Sequence, residues 1–217
     1  MKKIFDVAKN NQLFHGIAFS DFEAMLNCLS MRTSAYKKGD IILLSGNSIN
    51  FVGLILSGGI KIIREDMNGN IAILAKLTVS EIFGEVLACA EIFHSPVTVQ
   101  SIEETEVLFI DYGKIFTSCA KVCHFHTQLI KNMLKLMAQK NLMLNQKIEI
   151  LSKRTTRDKL LCFFDFQRGM ANEFTIPFNR EEMANYLCVD RSAMSNELCK
   201  MRDDGLIQFN KNCFKIL

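Results

Sequence analysis

The sequence predicts an α+β chain with an N-terminal β-sandwich or barrel, one long helix and a C-terminal pair of short helices. Three observations carry this prediction. Short β-branched runs alternate with turn signals in the first half of the chain, and an apolar heptad repeat follows them. Beyond that repeat, two short amphipathic helices precede a terminal pair of strands, which is the pattern of a helix-turn-helix with an added hairpin.

The first half changes from a helical to a β pattern near residue 35. Apolar residues at helical spacing predict helix over residues 4–31, around a cap signal at Ser20 and Asp21. Clusters of Gly, Asn and Ser then mark turns at Lys38-Gly39-Asp40, Ser45-Gly46-Asn47, Ser57-Gly58-Gly59 and Asn68-Gly69-Asn70. The last of these turns is predicted to be a hairpin tip. The strands predicted around it and after it are Ile60–Arg64, Ile71–Lys76, Val97–Ile102 and Glu106–Ile110.

A heptad repeat runs through the helical region that begins at Lys114. Its members are Ile130, Leu134, Met137, Asn141, Leu144, Ile148 and Leu151. Asn141 occupies an a-type position, where a buried polar side chain fixes register and partner number. We interpret the repeat as the seam of a parallel homodimer. The alternative is a stripe that packs into the core of the same chain.

Two short helices with a tight joint are predicted between Asn179 and Ile207. Asp190 ends the joint and is a good N-cap for the second helix. Behind the cap, Met194, Leu198 and Met201 form one apolar stripe. The opposite face carries Arg191, Ser192, Ser195, Asn196 and Lys200. Such a helix suits insertion into the DNA major groove, although an ordinary surface hairpin of helices shows the same spacing.

Further elements flank the two short helices. A preceding helix is predicted over Thr156–Arg168, with Leu160, Leu161, Phe163 and Phe164 buried. After them, Leu206–Phe209 and Cys213–Leu217 are predicted to pair through a turn. A helix-turn-helix followed by such a β-wing is a winged-helix domain.

Composition and charge restrict the function classes. The chain has 217 residues, of which 49% are apolar and 23% charged. No apolar run approaches the roughly 20 residues that span a bilayer, and the start of the sequence lacks the apolar region of a signal peptide. We therefore expect a cytoplasmic protein with no membrane partner, in which the eight cysteines are mostly reduced. Because it shows no P-loop, nucleophile elbow or His-Glu-x-x-His motif, we do not expect an enzyme.

The net charge of +3 is unevenly distributed. Residues 1–113 hold 9 Lys+Arg and 13 Asp+Glu, a net of −4, whereas residues 114–217 hold 17 and 10, a net of +7. A basic C-terminal half joined to an acidic N-terminal half is expected when only the former meets a polyanion. The charge distribution therefore favours DNA over the ordinary surface hairpin.

The order of elements resembles the Crp/Fnr family of bacterial transcription regulators. The motifs that carry the resemblance are Lys38-Gly39-Asp40, Leu56-Ser57-Gly58-Gly59, Ile82-Phe83-Gly84-Glu85, Glu104-Thr105-Glu106-Val107-Leu108 and Arg180 through Leu206. The resemblance implies a double-stranded β-helix (jelly-roll-like) sensor domain over residues 1–113. It also implies a dimerisation helix over residues 114–151 and a winged helix-turn-helix over residues 152–217.

The resemblance further implies a homodimer on palindromic double-stranded DNA, with half-sites roughly 34–36 Å apart, and RNA polymerase as a further partner. Carried over by position, the base-reading candidates are Arg191, Ser192, Ser195 and Asn196, with Lys200 on the same face. Asn179, Arg180 and Glu181 open the preceding helix and are candidates for contacts that position the DNA backbone. Many relatives have glutamate where this chain has Ser192, and arginine where it has Asn196. We therefore expect a different half-site, in which Asn196 pairs with adenine and Arg191 with guanine.

The sensor domain departs from the cyclic-nucleotide binders of the family. Those relatives carry an arginine about ten residues after the glutamate of the Phe-Gly-Glu motif, which pairs with the phosphate. This chain has Ser95 there and no arginine between Glu65 and Lys153. We therefore expect an unidentified small-molecule effector that is not a cyclic nucleotide, or a pocket filled by its own side chains. The residues predicted to line the pocket are Gly84, Glu85, Val86, Leu87, His94, Ser95, Leu142 and Met143.

A cluster of thiols and imidazoles suggests a second kind of regulator. Cys119, Cys123 and His126 would share one helical face and could bind a metal or form a redox pair. The alternative is that they pack in the core, as cysteines commonly do. His94 is a candidate axial ligand for haem, and the family's iron–sulfur type is not expected, because only Cys28 precedes Cys89. No metal or other cofactor is predicted outright.

Overall fold

The computed structural model describes residues 1–116 and 124–217. The chain forms two compact units, Met1–Met137 and Ala138–Leu217. The long helix α5 (His124–Ser152) contributes to both of them. The sequence predicts divisions after residues 113 and 151, whereas the two compact units meet after Met137. The three predicted domains therefore stay a prediction.

The first unit is a jelly-roll-like β domain with helices at its start and end and one short helix between two of its strands. Its helices are α1 (Lys2–Ala8), α2 (Phe19–Cys28), α3 (Glu85–Cys89) and α4 (Tyr112–Phe116). Its strands are β1 (Arg32–Tyr36), β2 (Ile41–Leu43), β3 (Phe51–Ser57), β4 (Gly59–Glu65), β5 (Ile71–Thr78), β6 (Ile82–Phe83), β7 (Thr98–Ser101) and β8 (Thr105–Asp111). They form two antiparallel sheets, in the orders β1-β8-β3-β6 and β2-β7-β4-β5. The predicted hairpin with its tip at Asn68–Gly69 is confirmed as β4 and β5.

Alternation along β3 separates two apolar clusters. Val52, Leu54 and Leu56 pack into a cluster with the helices, whereas Ile55 belongs to a cluster enclosed by the strands. This is the period-two pattern of a strand buried on both faces. The enclosed cluster consists of Leu43, Ile49, Ile55, Ile60, Phe83, Val99, Val107 and Phe109.

Gly53 lies in the middle of β3 because an aromatic ring covers it. A Cβ at this position would lie 2.3 Å from Cζ of Phe83, which is closer than any side chain tolerates. The ring therefore packs directly on the backbone of the strand.

The helix predicted over residues 4–31 is interrupted, so this part of the sequence prediction is wrong in detail. A 3₁₀ turn at Gln12–Phe14 separates α1 from α2. The side chain of Asn11 accepts a hydrogen bond from the Leu13 amide and donates one to the Ser80 carbonyl, 2.9 and 2.8 Å away. Competition of an Asn side chain for backbone groups favours such a break in a helix.

The two ends of α5 differ in environment. Phe125, Leu129, Met133 and Leu136 are buried in the cluster that includes α1 and α2. From residue 138 onward α5 belongs to the second unit, where Ile150 is buried in the core. Leu142, Met143, Leu144 and Ile148 are each 62–67% exposed.

The second unit is the predicted winged helix-turn-helix. Its elements after α5 are α6 (Thr156–Arg168), β9 (Glu173–Thr175), α7 (Arg180–Leu187), α8 (Arg191–Asp203), β10 (Ile207–Asn210) and β11 (Cys213–Ile216). The three strands form one antiparallel sheet in the order β10-β11-β9. The predicted helix over Thr156–Arg168 is confirmed, and Leu160, Phe163 and Phe164 are buried. The predicted burial of Leu161 is wrong, because this side chain lies on the outer face of α6 and is 38% exposed.

Candidate DNA-binding surface and effector site

The helix α7 begins with a complete capping box. The Asn179 side chain accepts hydrogen bonds from the amides of Glu181 and Glu182, and the Glu182 carboxylate accepts one from the Asn179 amide. This arrangement satisfies backbone donors at the helix start. The helix ends at Cys188, which adopts a left-handed conformation (φ +51°) that most L-residues avoid. The sharp turn that follows leads directly into α8.

The helix α8 has the predicted cap and the predicted two faces. The Asp190 carboxylate accepts a hydrogen bond from the Ala193 amide at 2.8 Å. Hydrogen bonds from Ser192 and from the backbone hold the pKa of Asp190 below its usual range. Met194, Leu198 and Met201 are buried. On the opposite face Arg191, Ser192, Asn196 and Lys200 are exposed and Ser195 is half-buried.

Two of the predicted base-reading side chains are already used within the helix. The Ser192 hydroxyl donates to the Asp190 carboxylate at 2.5 Å, and the Ser195 hydroxyl donates to the Arg191 carbonyl at 2.9 Å. Within the described residues, by contrast, the side chains of Arg191 and Asn196 make no hydrogen bond. Their donors are therefore the ones available to a base edge.

Arg180 joins the start of α7 to the wing. Its guanidinium carbon lies 4.9 Å from the ring centroid of Phe214 and 5.1 Å from that of Phe209. One of its nitrogens donates to the Lys211 carbonyl at 3.0 Å, and burial lowers the pKa of its guanidinium. Stacking on two rings together with a hydrogen bond fixes the wing turn relative to α7.

A groove lies between the starts of α7 and α8 and the turn of the wing. It is lined by Asn179, Arg180, Glu181, Arg191, Lys211 and Asn212. The lining includes three cationic residues and one acidic residue, so the groove favours an anion such as a DNA phosphate. Lys211 and Asn212 were not among the predicted site residues, although they form the turn of the predicted hairpin.

Arg157 attaches α8 to α6. Its guanidinium lies 2.5 Å from the Glu197 carboxylate and 2.8 Å from that of Asp204. Hydrogen bonds to these two carboxylates raise the pKa of Arg157. The pair of contacts, near the middle and just beyond the end of α8, sets the position of the exposed polar face.

Lys147 and Lys159 bind the carbonyl end of α7. Lys147, on α5, donates to the Tyr186 carbonyl, and its ammonium lies 3.5 Å from the centroid of the Tyr186 ring. Lys159, on α6, donates to the Leu187 carbonyl at 3.2 Å. Cations at the end of a helix satisfy its last carbonyls and interact favourably with its dipole. The second part of α5 is thereby tied to the helix-turn-helix.

The residues predicted around the effector have local structural roles in the first unit. Gly84 adopts φ +83° and leads into α3, where Glu85 is buried and Val86 is exposed. The Ser95 hydroxyl donates to the Val97 carbonyl at 2.7 Å. A ring nitrogen of His94 lies 2.9 Å from the Gly46 carbonyl oxygen, so this imidazole is engaged with the backbone.

Aromatic side chains pack against one another in the cluster enclosed by the strands. The ring of Phe51 packs edge-on against Phe109 and Phe83, with centroids 4.9 and 6.2 Å apart. Leu87 is half-buried against the same cluster. Leu142 and Met143 lie on the part of α5 that belongs to the second unit and are exposed. The predicted pocket therefore stays a prediction.

The metal and redox candidates are only partly described. Cys119 and Cys123 lie outside the described residues. His126 is 8% exposed, and one of its ring nitrogens lies 3.4 Å from the sulfur of Cys28. Within residues 1–116 and 124–217, His, Cys, Asp and Glu side chains form no group of three or more that could hold a metal ion. In the same residues no helix is long and apolar enough to cross a membrane.

Two family models match the chain. The model of the cyclic nucleotide-binding domain matches residues 33–121, and that of the Crp-like helix-turn-helix domain matches residues 157–217. These matches coincide with the jelly-roll-like β domain and with the winged helix-turn-helix.

Similar proteins extend over most of the chain. The transcriptional activator protein FnrA of Stutzerimonas stutzeri is 24% identical over 199 residues, which are 88% of this chain and 79% of that protein. The cyclic AMP receptor protein of Thermus thermophilus is 24% identical over 213 residues, 96% of this chain and 93% of that protein. The crystal structure of the Thermus thermophilus catabolite activator protein has the same fold, with a TM-score of 0.56 at 20% identity over 95% of this chain and 94% of that one. With the β domain followed by the helix-turn-helix domain, and with these relatives, the chain belongs to the Crp/Fnr family of transcription regulators.

Proposed function

We propose that the protein is a homodimeric regulator that reads a palindromic operator with α8. The observation that carries this proposal is the exposed polar face of α8 beside the cationic groove. Arg191 and Asn196 present unused donors on that face, and Arg180, Arg191 and Lys211 surround the groove. Base contacts from the helix would supply specificity, and phosphate contacts in the groove would supply register.

In this proposal Asn196 and Arg191 divide the recognition of the half-site. A carboxamide can donate to and accept from adenine together, and a guanidinium can donate twice to guanine. Ser192 and Ser195 contribute less, because their hydroxyl hydrogens already serve the helix. Arg180 acts through the wing, so its loss would weaken binding to all sequences alike.

Dimerisation is supported by the exposed apolar face of α5. Leu134, Leu144 and Ile148 are 65, 63 and 64% exposed and repeat at heptad spacing. Asn141 lies on the same face and accepts a hydrogen bond from Asn145 at 2.9 Å. A second copy in parallel orientation would cover the leucines and place two asparagines side by side.

We further propose that the β domain does not take a cyclic nucleotide. The position that would need a guanidinium holds Ser95, whose hydroxyl binds its own loop. Burying a phosphate there without a cation would be costly. The domain would instead take an uncharged small molecule or keep its present packing. The regulator would act in the cytoplasm together with RNA polymerase.

Selection of bound duplexes from a random double-stranded DNA pool tests the proposed function. The expected product is a palindrome whose half-sites lie about 10 bp apart, centre to centre. Recovery of unrelated sequences, or of single half-sites without symmetry, would contradict it. A parallel selection with Asn196→Ala should relax the sequence at one base pair in each half-site.

A thermal denaturation series tests the proposal that the β domain binds no cyclic nucleotide. Addition of cAMP or cGMP at millimolar concentration is expected to leave the midpoint unchanged, because a ligand stabilises only the state that it binds. A rise that depends on nucleotide concentration would contradict this part of the proposal and leave the DNA part intact.

A further inference from the structure

A thiol and an imidazole meet inside the first unit, whereas the residues of the candidate DNA-binding surface belong to the second. Cys28 is the last residue of α2 and is half-buried. His126 lies on α5 and is 8% exposed. The Cys28 sulfur and a ring nitrogen of His126 are 3.4 Å apart, which is hydrogen-bond distance for a thiol.

We propose that Cys28 is an oxidation site activated by His126, which reacts with hydroperoxides and thereby changes operator binding. The regulatory part rests on the proposed function. The chemical part, the reaction of the Cys28 thiol with a hydroperoxide, does not depend on the DNA-binding role.

The geometry supplies what a reactive cysteine needs. Thiolate, not thiol, is the nucleophile, and an adjacent imidazole can take the proton and keep the resulting anion paired with a cation.

Other cysteines among the described residues have different neighbours. Burial raises the pKa of the Cys89 and Cys162 thiols, and the carboxylates of Glu85 and Glu149 raise it further. The Cys213 thiol donates to the Glu173 carboxylate at 3.5 Å. Of the six cysteines in the described residues, Cys28 is the one that has an imidazole at hydrogen-bond distance.

The proposed step is balanced by the hydroperoxide, ROOH. The Cys28 thiolate attacks the outer oxygen, so that an S–O bond forms and the O–O bond breaks. The sulfur loses two electrons and becomes a sulfenic acid, while the peroxide is reduced. The departing alkoxide takes the proton held by the His126 imidazolium and leaves as the alcohol ROH.

Oxidation of Cys28 would disturb the packing of the first part of α5, which carries His126. The sulfenic acid adds an oxygen where Cys28 and His126 touch, in a cluster that also holds Phe125 and Leu129. Close-packed interiors accommodate an added atom only by shifting their neighbours. The same helix carries Lys147, which binds the carbonyl end of α7.

Site-resolved mass spectrometry tests the chemical part on the full-length reduced protein. With limiting hydrogen peroxide and a sulfenic-acid trap, we expect Cys28 to be labelled about tenfold faster than Cys89. His126→Gln should bring the rate at Cys28 down to that of Cys89. Equal rates at Cys28 and Cys89 in the wild-type protein would overturn the proposal.

A pH series of alkylation keeps the test decisive if His126→Gln does not fold. The rate of iodoacetamide alkylation at Cys28 in the wild-type protein should reach its half-maximum at a lower pH than the rate at Cys89. The opposite order, or the same pH for both, would overturn the assignment to His126.

Operator titrations separate the regulatory part from the proposed function. Peroxide should change the affinity of the wild-type protein several-fold and leave that of Cys28→Ser unchanged. An equal change in both proteins, or no change in either, would overturn the regulatory role. If the reduced protein binds no operator, the proposed function fails, while the labelling rates still decide the chemistry of Cys28.

Discussion

Along α5, apolar side chains of the same type meet opposite environments. Leu129 and Met133 are 1% exposed in the cluster with α1 and α2, whereas Leu144 and Ile148 are 63 and 64% exposed. The first part of the helix therefore completes a core of its own chain. The second part presents an apolar face that nothing in the described residues covers.

The difference shows what a heptad repeat can and cannot indicate. Ile130 and Met137 belong to the predicted seam, yet both are partly buried against the core of the first unit. The intramolecular stripe thus accounts for the start of the repeat. The proposed dimer contact is left with the other members of the repeat, which are Leu134, Asn141, Leu144, Ile148 and Leu151. Periodicity identifies an apolar face, but it does not identify the surface that covers it.

The largest expected effect comes from charging the exposed part of this face. Leu144→Lys with Ile148→Lys should dissociate the dimer and lower operator affinity by about a hundredfold or more, because two linked half-site contacts become independent. Sedimentation and fluorescence anisotropy measure the two changes. Leu161→Lys, on the exposed face of α6, is the matched control and should alter neither. A charged double variant that remains dimeric would break the proposed contrast between the two parts of α5.

Two leucines of α5 allow its buried and exposed positions to be compared in the monomer that the charged double variant is expected to form. Leu129→Ala removes a buried side chain and should lower the free energy of unfolding by about 2–5 kcal/mol. Leu134→Ala removes a side chain that is 65% exposed and should change the free energy by less than about 0.5 kcal/mol. Urea denaturation in the background of the charged double variant measures both. Equal losses would mean that the two leucines share one environment.

Asn141 tests whether the exposed face of α5 limits association to two chains. Asn141→Leu should strengthen association while allowing higher oligomers, because a polar residue at an a-type position trades stability for a defined partner number. Analytical ultracentrifugation over a range of concentrations distinguishes these states. Gln146→Leu, which is exposed and off the seam, should keep a single dimeric species. Unchanged association in Asn141→Leu would place Asn141 outside the contact.

The smallest expected effect concerns the link between α5 and α7. Burial lowers the pKa of Lys147 in the folded protein below its ordinary value of 10.5. The folded state therefore binds fewer protons than the unfolded state as the pH approaches that value, so stability gains from rising pH. Relative to Lys147→Met, the wild-type protein should become more stable from neutral pH toward the alkaline range. A difference between the two proteins that stays constant or falls over this pH range would contradict this expectation.

The sequence was most informative where structure is local. The bounds of α6, the cap at Asp190 and the buried stripe of α8 all follow from patterns within a few residues. The strands around the hairpin at Asn68–Gly69 were also recognisable, because turn residues separate β-branched runs. The interruption of the N-terminal helix was missed, since it depends on a hydrogen bond from Asn11 to the distant Ser80.

The contacts that assemble the site could not be predicted in this way. Arg157 meets Glu197, Arg180 meets the wing, Lys147 meets Tyr186, and Cys28 meets His126. Each pair joins segments at least 29 residues apart in the chain. Such pairing is set by packing of the whole unit, whereas propensity and periodicity act over short ranges. The chemistry of these side chains was visible in the sequence, and their partners were not.

Recognition of single bases by α8 is the central claim, and anisotropy titrations against the selected operator and its single-base variants test it most directly. The wild-type protein should lose about 1–3 kcal/mol of binding free energy for a change at the base pair assigned to Asn196. Asn196→Ala should bind the selected operator more weakly and no longer distinguish that base pair, with discrimination at all others retained. Uniform loss across every variant, or discrimination unchanged by Asn196→Ala, would contradict the account.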